Sequence, residues 1–197
     1  YGVLQNFSKS AVLIFFLICQ PAFAEQPTVL VLGDSLTQGY GLAQHDGFVP
    51  QLRQWLSDQG TPAHIINAGV SGDTTAGGLE RVEWSLAEGV DAMIVALGSN
   101  DMLRGIAPDD SYRNIENILK IGQRGGVRLM IIGVRASGNF GPIYKKNFDA
   151  IFPKLAKIYQ AEYVDHFFEG LMDPSQPSQP ALKYLQRDRM HPNRKGV

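Results

Sequence analysis

Cysteine is nearly absent from this sequence of 197 residues, and the single one, Cys19, lies in a short apolar stretch near the amino terminus. That stretch, residues 11–19, follows a lysine and precedes the small-residue pattern Ala-Phe-Ala. A positive residue, a short apolar core and this pattern are typical of a secretory signal peptide. We therefore predict that residues 1–24 are a signal peptide cleaved after Ala24, which sends the protein to a bacterial periplasm or outside the cell. The mature chain would then lack cysteine nucleophiles, disulfides and thiolate metal sites.

Long hydrophobic runs and an excess of charge are also missing. The apolar stretch has about half of the roughly 20 residues that span a bilayer, so we expect no stable membrane insertion after cleavage. Processing as a lipoprotein attached through Cys19 is disfavoured, because the bulky Ile18 stands where a small residue is expected. The net charge is -1 and there is no long basic run, which argues against a nucleic-acid partner. The full sequence has 44% hydrophobic and 19% charged residues, as globular proteins do. We therefore expect residues 25–197 to form one globular domain, monomeric or weakly oligomeric.

Several familiar site motifs are absent too. The chain has neither the Walker nor the dinucleotide-binding glycine fingerprint, and it lacks the G-x-S-x-G turn of many lipases. Nucleotide binding and the lipase-type nucleophile turn therefore have no support in the sequence.

Short apolar runs alternate with segments of helical spacing. Strands are predicted at residues 29–32, 63–67, 93–97, 127–132 and 161–164. Helices are predicted around Phe48–Leu56, Leu79–Leu86, Tyr112–Leu119 and Phe148–Ile158, the last with a kink at Pro153, and residues 173–180 are predicted as a loop. Nearly continuous apolar strands separated by helices favour an α/β fold with a parallel sheet covered on both faces.

Polar, glycine-containing loops follow the first three predicted strands. Gly33-Asp34-Ser35 follows the first, residues 69–73 the second and residues 98–101 the third. Functional residues of parallel sheets collect at the carboxyl ends of the strands. We therefore expect these three loops to meet at one edge of the sheet.

A serine, a histidine and an aspartate supply the groups needed for acyl transfer to water. Ser35 stands on the first strand-to-helix turn, and Asp188 precedes His191 by three residues, a spacing that lets its carboxylate reach the imidazole. Each has a plainer interpretation: Ser35 as a helix cap, and Asp188 with His191 as a surface pair that caps a helix opened by Pro192. His64 lies in a predicted strand and is interpreted as structural, and His45 and His166 have no carboxylate at a suggestive spacing apart from their immediate neighbours Asp46 and Asp165.

Donors for an oxyanion are present in the same loops. Ser35 and Gly72 can offer backbone N–H groups, and Asn100 can offer its side-chain amide. Taken singly, Gly72 is as well explained by a turn and Asn100 by a loop cap. Their expected position on one sheet edge favours the functional interpretation.

The chain resembles the SGNH (GDSL) hydrolases, specifically the bacterial exported arylesterase, acyl-CoA thioesterase and lysophospholipase branch. The resemblance is carried by four blocks in order: Gly33-Asp34-Ser35-Leu36-Thr37-x-Gly39-Tyr40-Gly41, Gly69-x-Ser71-Gly72-Asp73-Thr74-Thr75, Gly98-x-Asn100-Asp101 with Leu103-Arg104-Gly105, and Asp188-x-x-His191-Pro192-Asn193. It implies a three-layer α/β/α sandwich of flavodoxin-like type with a mainly parallel five-stranded sheet. It also implies Ser35 as nucleophile, His191 as base, Asp188 as its orienting group, an oxyanion hole of Ser35, Gly72 and Asn100, and no metal or cofactor.

Two features depart from the family pattern. Arg189-Met190 stands where relatives often carry a pair such as Gly-Ile, which is expected to alter the rim of the pocket. The sequence ends at Val197, where a helix is expected to begin after His191, so we expect that carboxyl-terminal helix to be truncated.

The resulting expectation is a serine ester hydrolase that cleaves small-molecule acyl esters or thioesters of short to medium chain length, with lysophospholipid as a further substrate. Candidates to contact the acyl chain are Leu103, Ile106, Phe140, Ile143 and Tyr144. Three alternatives stay open: a carbohydrate acetylesterase, a non-catalytic extracytoplasmic ligand-binding protein on the same scaffold, and an FMN-binding flavodoxin-like module. Asp34 argues against the last, because a carboxylate at the first turn repels phosphate.

Overall fold

The computed structural model describes residues 26–197, except for the side chains of residues 176–179. The predicted signal peptide and Cys19 lie outside the described residues. In chain order the elements are β1 Thr28–Gly33, α1 Ser35–Gln38, α2 Phe48–Asp58, β2 His64–Gly69, α3 Thr75–Ser85, β3 Ala92–Ala96, α4 Ser99–Arg104, α5 Pro108–Arg124, β4 Arg128–Ile132, α6 Gly141–Asp149, α7 Ile151–Tyr159, β5 Glu162–Val164, β6 Met172–Asp173 and β7 Gln176–Pro180. No helix among residues 26–197 is both long and apolar enough to cross a bilayer.

Five parallel strands form the main sheet in the order β2-β1-β3-β4-β5. The chain runs outward from β1 to β2 and then returns to place β3 on the other side of β1. In register, Gly33 at the end of β1 pairs with Gly69 of β2 and Ala96 of β3. The loops that follow these three strands therefore start at one sheet edge, at the point where the strand order reverses and where such sheets bind ligands. This confirms the predicted parallel five-stranded sheet.

Helices cover the two faces of the sheet in two separate apolar clusters. On one face, Leu30 and Leu32 of β1 pack with Val82 of α3, Ile118 of α5 and Phe152 of α7. The other face buries Val31, Ile65 and Val49, and this cluster joins the sheet to α2. Each fully buried side chain of this size contributes about 1.5–3 kcal/mol relative to exposure to water. Successive side chains of β1 thus pack against helices on opposite faces of the sheet, so this strand is buried on both sides. The predicted three-layer arrangement is confirmed.

The predicted kinked helix around Pro153 is instead two helices, so that prediction is wrong. α6 ends at Asp149 and α7 begins at Ile151, with Ala150 between them. Pro153 is therefore the third residue of α7. The N–H groups of a first helical turn have no intrahelical acceptor, so proline costs little there and no kink is needed.

Residues 173–180 were predicted as a loop but contain part of an antiparallel hairpin, in which β6 pairs with β7. The carboxylate of Asp173 accepts hydrogen bonds from the Ser175 backbone N–H at 2.8 Å and the Ser175 hydroxyl at 2.7 Å, a local arrangement that closes the turn. A segment rich in proline, serine and glutamine gives no alternating apolar signal, which is why the hairpin was not predicted.

The helix expected to begin at Pro192 is not formed in residues 192–197. Pro192 instead forms an isolated antiparallel bridge with Leu185, and the following residues make a turn. The Asn193 carboxamide accepts from the Lys195 backbone N–H at 2.9 Å and donates to the Leu185 carbonyl at 3.0 Å. Local side-chain bonds of this kind compete with helix formation.

Candidate active site

Ser35 is presented by a tight turn between β1 and α1. Asp34, not Ser35, caps the helix: its carboxylate oxygen Oδ1 accepts from the Leu36 backbone N–H at 3.0 Å. The capping interpretation of Ser35 is therefore wrong, and its hydroxyl is free for other contacts. The turn also requires a glycine at residue 33, because a Cβ atom there would lie 2.0 Å from the Thr37 hydroxyl oxygen.

The structure brings the three predicted groups together in one hydrogen-bonded chain. The Ser35 hydroxyl Oγ lies 2.8 Å from Nε2 of His191. The Nδ1 atom of the same ring lies 2.7 Å from Oδ2 of Asp188. When Nδ1–H donates to the carboxylate, Nε2 is left as an acceptor for the serine proton. The arrangement can therefore withdraw a proton from Ser35.

Asp188 is held in its charged form. Partial burial by itself would raise the pKa of this carboxyl, but hydrogen bonds from the Met190 backbone N–H, at 2.9 Å, and from His191 lower it to about 2. Oδ1 also accepts from the His191 backbone N–H at 3.1 Å. The carboxylate therefore stays ionised at neutral pH, fixes the imidazole tautomer and stabilises the imidazolium that forms when the ring takes a proton.

The loop that carries His191 is fastened to the first motif block by Gln186. The Gln186 backbone N–H donates to the His191 carbonyl at 2.8 Å, and its side-chain amide donates to the Tyr40 carbonyl at 2.7 Å. The Tyr40 ring also lies against the imidazole, with centroids 4.7 Å apart. Sequence reasoning missed Gln186, since nothing in the sequence signals a contact between residues 146 positions apart.

The three predicted oxyanion donors, Ser35, Gly72 and Asn100, line one cavity together with His191. Ser35 is the first residue of α1, so its N–H has no intrahelical acceptor. Gly72 has a φ of 85°, a left-handed conformation that favours glycine. The Asn100 amide donates to the Asp73 carbonyl at 2.8 Å, which orients the group and leaves its second N–H for another acceptor.

Arg81 joins the loops that carry these donors. Its guanidinium donates to the Asp73 carboxylate at 2.6 Å, to the Ala68 carbonyl at 2.8 Å and to the Gly33 carbonyl at 2.9 Å. Its side chain is only 19% exposed. One planar cation thus connects the end of β1, the end of β2 and the loop that follows β2, and no sequence pattern marks it for this role.

Asp101, next to Asn100, is fully buried and holds the start of α3 against α4. Its carboxylate accepts from the Thr75 backbone N–H at 2.8 Å, the Thr75 hydroxyl at 2.5 Å and the Ser111 hydroxyl at 3.0 Å. A buried carboxylate with three donors is satisfied, and loss of those bonds would leave a costly unpaired group. Asp101 was part of a recognised block but had no role assigned from sequence.

Two further titratable groups lie at the site. Burial raises the pKa of Asp34, although the Leu36 N–H and the nearby His191 oppose the shift. Burial lowers the pKa of His166, which lines the cavity and whose Nε2 lies 4.0 Å from the Asp165 carboxylate. Sequence reasoning set His166 aside because its carboxylate neighbour is adjacent in the chain. Among residues 26–197 no group of three or more histidines, cysteines, aspartates or glutamates is arranged to hold a metal ion.

The cavity beside Ser35 has a volume of about 860 Å³ and a largely apolar wall. Its apolar side chains are Leu36, Tyr40, Met102, Leu103, Val134, Ala136, Phe167, Phe168, Met172, Pro180, Leu185 and Met190. The volume lies within the range of small-molecule sites. Phe167 and Phe168 come from the segment after β5, and Met172 and Pro180 come from the hairpin. Sequence reasoning missed them because neither segment has a periodic apolar pattern.

Of the five residues predicted to contact an acyl chain, only Leu103 lines this cavity. Phe140 packs against Tyr144, with ring centroids 5.2 Å apart, and Ile143 is 77% exposed. Tyr144 also donates its hydroxyl to the Ile106 carbonyl at 3.0 Å. The structure therefore places Ile106, Phe140 and Tyr144 in contacts between α6 and the loop after α4 and leaves Ile143 exposed, so that all four lie outside the cavity wall.

The chain is similar in sequence to proteins of one known family. The sequence model of the GDSL-like Lipase/Acylhydrolase family matches residues 31–197. The chain is 36% identical to esterase TesA of Pseudomonas aeruginosa over 163 residues, which are 82% of this chain and 80% of that protein. It is 31% identical to thioesterase 1/protease 1/lysophospholipase L1 of Escherichia coli K12 over 183 residues, 92% of this chain and 83% of that one.

A solved structure gives the same answer for the fold. The crystal structure of AlinE4, an SGNH-hydrolase family esterase, matches with a TM-score of 0.77 at 38% identity and covers 89% of this chain and 91% of that one. The family match spans every motif block that meets at the sheet edge. The chain therefore belongs to the GDSL-like lipase/acylhydrolase family.

Proposed function

We propose that this chain is a serine ester hydrolase that works through an acyl-enzyme on Ser35. One observation carries the proposal above all others: the continuous hydrogen-bonded chain from the Ser35 hydroxyl through His191 to Asp188. Relatives named esterase and thioesterase support the same reaction class. In this chain the three residues act as nucleophile, general base and orienting carboxylate.

The reaction proceeds in two halves. Nε2 of His191 takes the Ser35 proton as Oγ attacks the acyl carbonyl, and the resulting oxyanion is bound by N–H groups of Ser35, Gly72 and Asn100. The imidazolium then gives its proton to the leaving alcohol or thiol, and the acyl group stays on Ser35. Water deprotonated by the same imidazole attacks this ester, and collapse of the second oxyanion releases the acid and restores the serine.

Substitution of the serine tests the reaction directly. Ser35→Ala should reduce hydrolysis of 4-nitrophenyl butyrate to near background, whereas Ser57→Ala, at an exposed position of α2 away from the cavity, should leave it unchanged. A fluorophosphonate should add to the native protein at Ser35, as read by peptide mass spectrometry. Retained activity in the Ser35 variant would overturn the proposal. Ligand binding without turnover or labelling would favour the non-catalytic alternative.

The substrates proposed are acyl esters and thioesters of short to medium chain length. The apolar cavity wall supports them, because burial of each methylene contributes about 0.8 kcal/mol. A series of 4-nitrophenyl esters from acetate to dodecanoate, with an acetylated xylan as an added substrate, tests this point. We expect kcat/KM to peak between butyrate and octanoate. A strong preference for the acetylated xylan would instead support a carbohydrate acetylesterase.

Export is proposed from the sequence of residues 1–24. The lysine, apolar core and Ala-Phe-Ala pattern support cleavage after Ala24. Mass spectrometry of the protein from the periplasmic fraction of a bacterial host should find an amino terminus at Glu25. Recovery of the uncleaved chain from the cytoplasm would contradict this proposal.

A further inference from the structure

Arg189 lines the cavity two positions before His191, in the turn between the orienting carboxylate and the imidazole. Its φ of 59° places it in the left-handed region, which an arginine adopts only when its surroundings impose it. The surroundings are visible: the Arg189 backbone N–H donates to the Gln186 carbonyl at 3.0 Å, and Asp188 accepts from the next N–H at 2.9 Å. The turn therefore fixes where this cation leaves the backbone.

The other cations of the cavity wall already have partners. Arg135 forms an ion pair with Asp165, and Lys145 donates to the Asp149 carboxylate at 2.7 Å and to the Ala136 carbonyl at 2.6 Å. For Arg189, the described part of the chain provides no carboxylate or side-chain hydrogen bond. The residues that line the cavity include neither aspartate nor glutamate, as far as residues 26–197 are concerned. Of the arginines and lysines that line the cavity in the described part of the chain, Arg189 is thus the one whose side chain has no charged partner.

The position of Arg189 relative to His191 decides which part of a substrate it would meet. After acyl transfer, Nε2 of His191 must hand its proton to the leaving oxygen or sulfur, so the leaving group lies on the imidazole side of the reacting carbonyl. The proposed oxyanion donors lie on other segments, Gly72 in the loop after β2 and Asn100 in the first turn of α4, and in the proposed mechanism they bind the carbonyl oxygen. Arg189 shares its loop with the proton donor, and a guanidinium binds carboxylate and phosphate oxygens with paired N–H groups.

From this arrangement, and on the basis of the proposed hydrolase function, we infer that Arg189 selects substrates whose leaving group is anionic. The chemical class is an acyl ester of an alcohol that bears a carboxylate or phosphate a few bonds from the ester oxygen. The acyl chain lies along the apolar wall, and the charged group of the leaving alcohol binds the guanidinium.

A matched pair of substrates tests this inference. 4-Nitrophenyl butyrate and 3-carboxy-4-nitrophenyl butyrate carry the same acyl group and the same reacting ester, and they differ in one carboxylate on the leaving group. The quantity measured is the ratio of their kcat/KM values, anionic over neutral. In Arg189→Asn, which keeps a residue tolerant of the left-handed conformation, the ratio should fall about two- to fivefold, as expected for one exposed ion pair.

Two controls separate charge selection from a change in the loop. Arg189→Lys should keep most of the native ratio, and Arg187→Asn, at an exposed cation of the same loop outside the cavity wall, should keep all of it. Added NaCl should lower the ratio of the native enzyme and leave that of Arg189→Asn flat, because salt screens an exposed pair.

The outcomes distinguish this inference from the function on which it rests. If Ser35→Ala abolishes both reactions but the ratio is the same in the native enzyme and Arg189→Asn, the hydrolase assignment stands and the role of Arg189 is refuted. If Ser35→Ala retains activity, the proposed function itself fails. A butyrate ester of glycerol 3-phosphate extends the test to a phosphate group, with the release of butyric acid as the measured rate. If Arg189→Asn hydrolysed this ester as fast as the native enzyme does, the selection by Arg189 would be limited to carboxylates.

Discussion

The guanidinium of Arg81 lies 2.6 Å from the carboxylate of Asp73, and the backbone carbonyl of the same aspartate accepts the Asn100 amide at 2.8 Å. Arg81 on α3 therefore connects to a proposed oxyanion donor on α4 through a single residue. Its two other bonds reach the carbonyls of Ala68 and Gly33. Gly33 lies two positions before Ser35, so the same cation supports both the nucleophile turn and the donor loop.

The first prediction concerns Arg81 as a positioning residue. Arg81→Lys keeps the charge but cannot reproduce the three hydrogen bonds to three separate acceptors, because all donors of lysine sit on one atom. We expect kcat for 4-nitrophenyl butyrate to fall about 10- to 100-fold, since a displacement of about 1 Å in a reacting group has effects of this size. KM should change little, because Arg81 does not line the cavity.

The matched control is Arg113→Lys, in which the exposed ion pair with Asp110 on α5 is altered instead. Surface pairs contribute about 0–1 kcal/mol, and this one is remote from the site, so kcat should stay at the native value. Equal kcat values in Arg81→Lys and the native enzyme would show that the site does not depend on this network.

The second prediction concerns the orienting carboxylate. In Asp188→Asn the amide can no longer stabilise the imidazolium, and it can leave the ring in the wrong tautomer, so kcat should fall about 10³- to 10⁴-fold. Because the pKa of Asp188 is about 2, its protonation has no part in the native pH profile above pH 4. Initial rates measured from pH 4 to 9 should therefore contain no limb that belongs to titration of Asp188.

A fluorophosphonate gives an independent readout for the same variant. Labelling of Ser35 should slow in parallel with kcat, while the far-UV circular dichroism spectrum stays native. If Asp188→Asn retained more than a tenth of the native kcat, Asp188 would be a structural cap for the loop and not an orienting group.

The third prediction concerns the amide donor. Asn100→Ala removes a side-chain N–H from the oxyanion site, and loss of one such donor costs about 10²- to 10³-fold in kcat. KM should move by much less, because a donor aimed at the oxyanion acts mainly in the transition state. Steady-state kinetics with 4-nitrophenyl butyrate separate the two parameters. A large rise in KM at constant kcat would instead assign Asn100 to ground-state binding.

Much of this architecture was predictable because it depends on local signals. Apolar runs such as the one ending at Leu32 predicted the strands, and the parallel order placed Ser35, Gly72 and Asn100 at one edge. The i,i+3 spacing of Asp188 and His191 predicted their contact. These features depend on strand burial and on short-range reach, both of which are visible in a sequence.

The parts that were not predicted depend on contacts between distant segments. Arg81 and Gln186 connect separate loops, and His166 lines the cavity, only once the chain has folded. No periodicity in the sequence marks any of the three. The wall of the cavity was assigned to Phe140 and Tyr144, but it is formed instead by Phe167, Phe168 and the hairpin. An apolar residue has the same local signal whether it packs on a helix or faces a cavity, so only the fold decides between the two.

The last prediction links the stability of the protein to pH through Asp34. Burial raises the pKa of this carboxyl above its ordinary value of 3.8, so the folded state binds a proton at pH values where the unfolded chain has already lost it. The stabilising effect of that proton is complete below the ordinary value and is lost as pH rises through the folded pKa. Asp34→Asn fixes a neutral side chain that can still accept from the Leu36 N–H. Relative to the native protein, the variant should therefore gain stability, measured as the difference between the two Tm values, as pH rises above 3.8.

The same substitution should lower activity, which gives the test a second measurement. The Asp34 carboxylate lies near enough to His191 for the two to attract each other once the imidazole has taken the serine proton, so kcat should fall when the negative charge of Asp34 is removed. Thermal unfolding at pH 4 and pH 7 measures the first effect, and hydrolysis of 4-nitrophenyl butyrate the second. Asp58→Asn, at the exposed end of α2, serves as control and should show neither. If the Tm of the variant relative to that of the native protein fell between pH 4 and pH 7, the buried carboxylate would be stabilised in its charged form, contrary to the direction of its pKa shift.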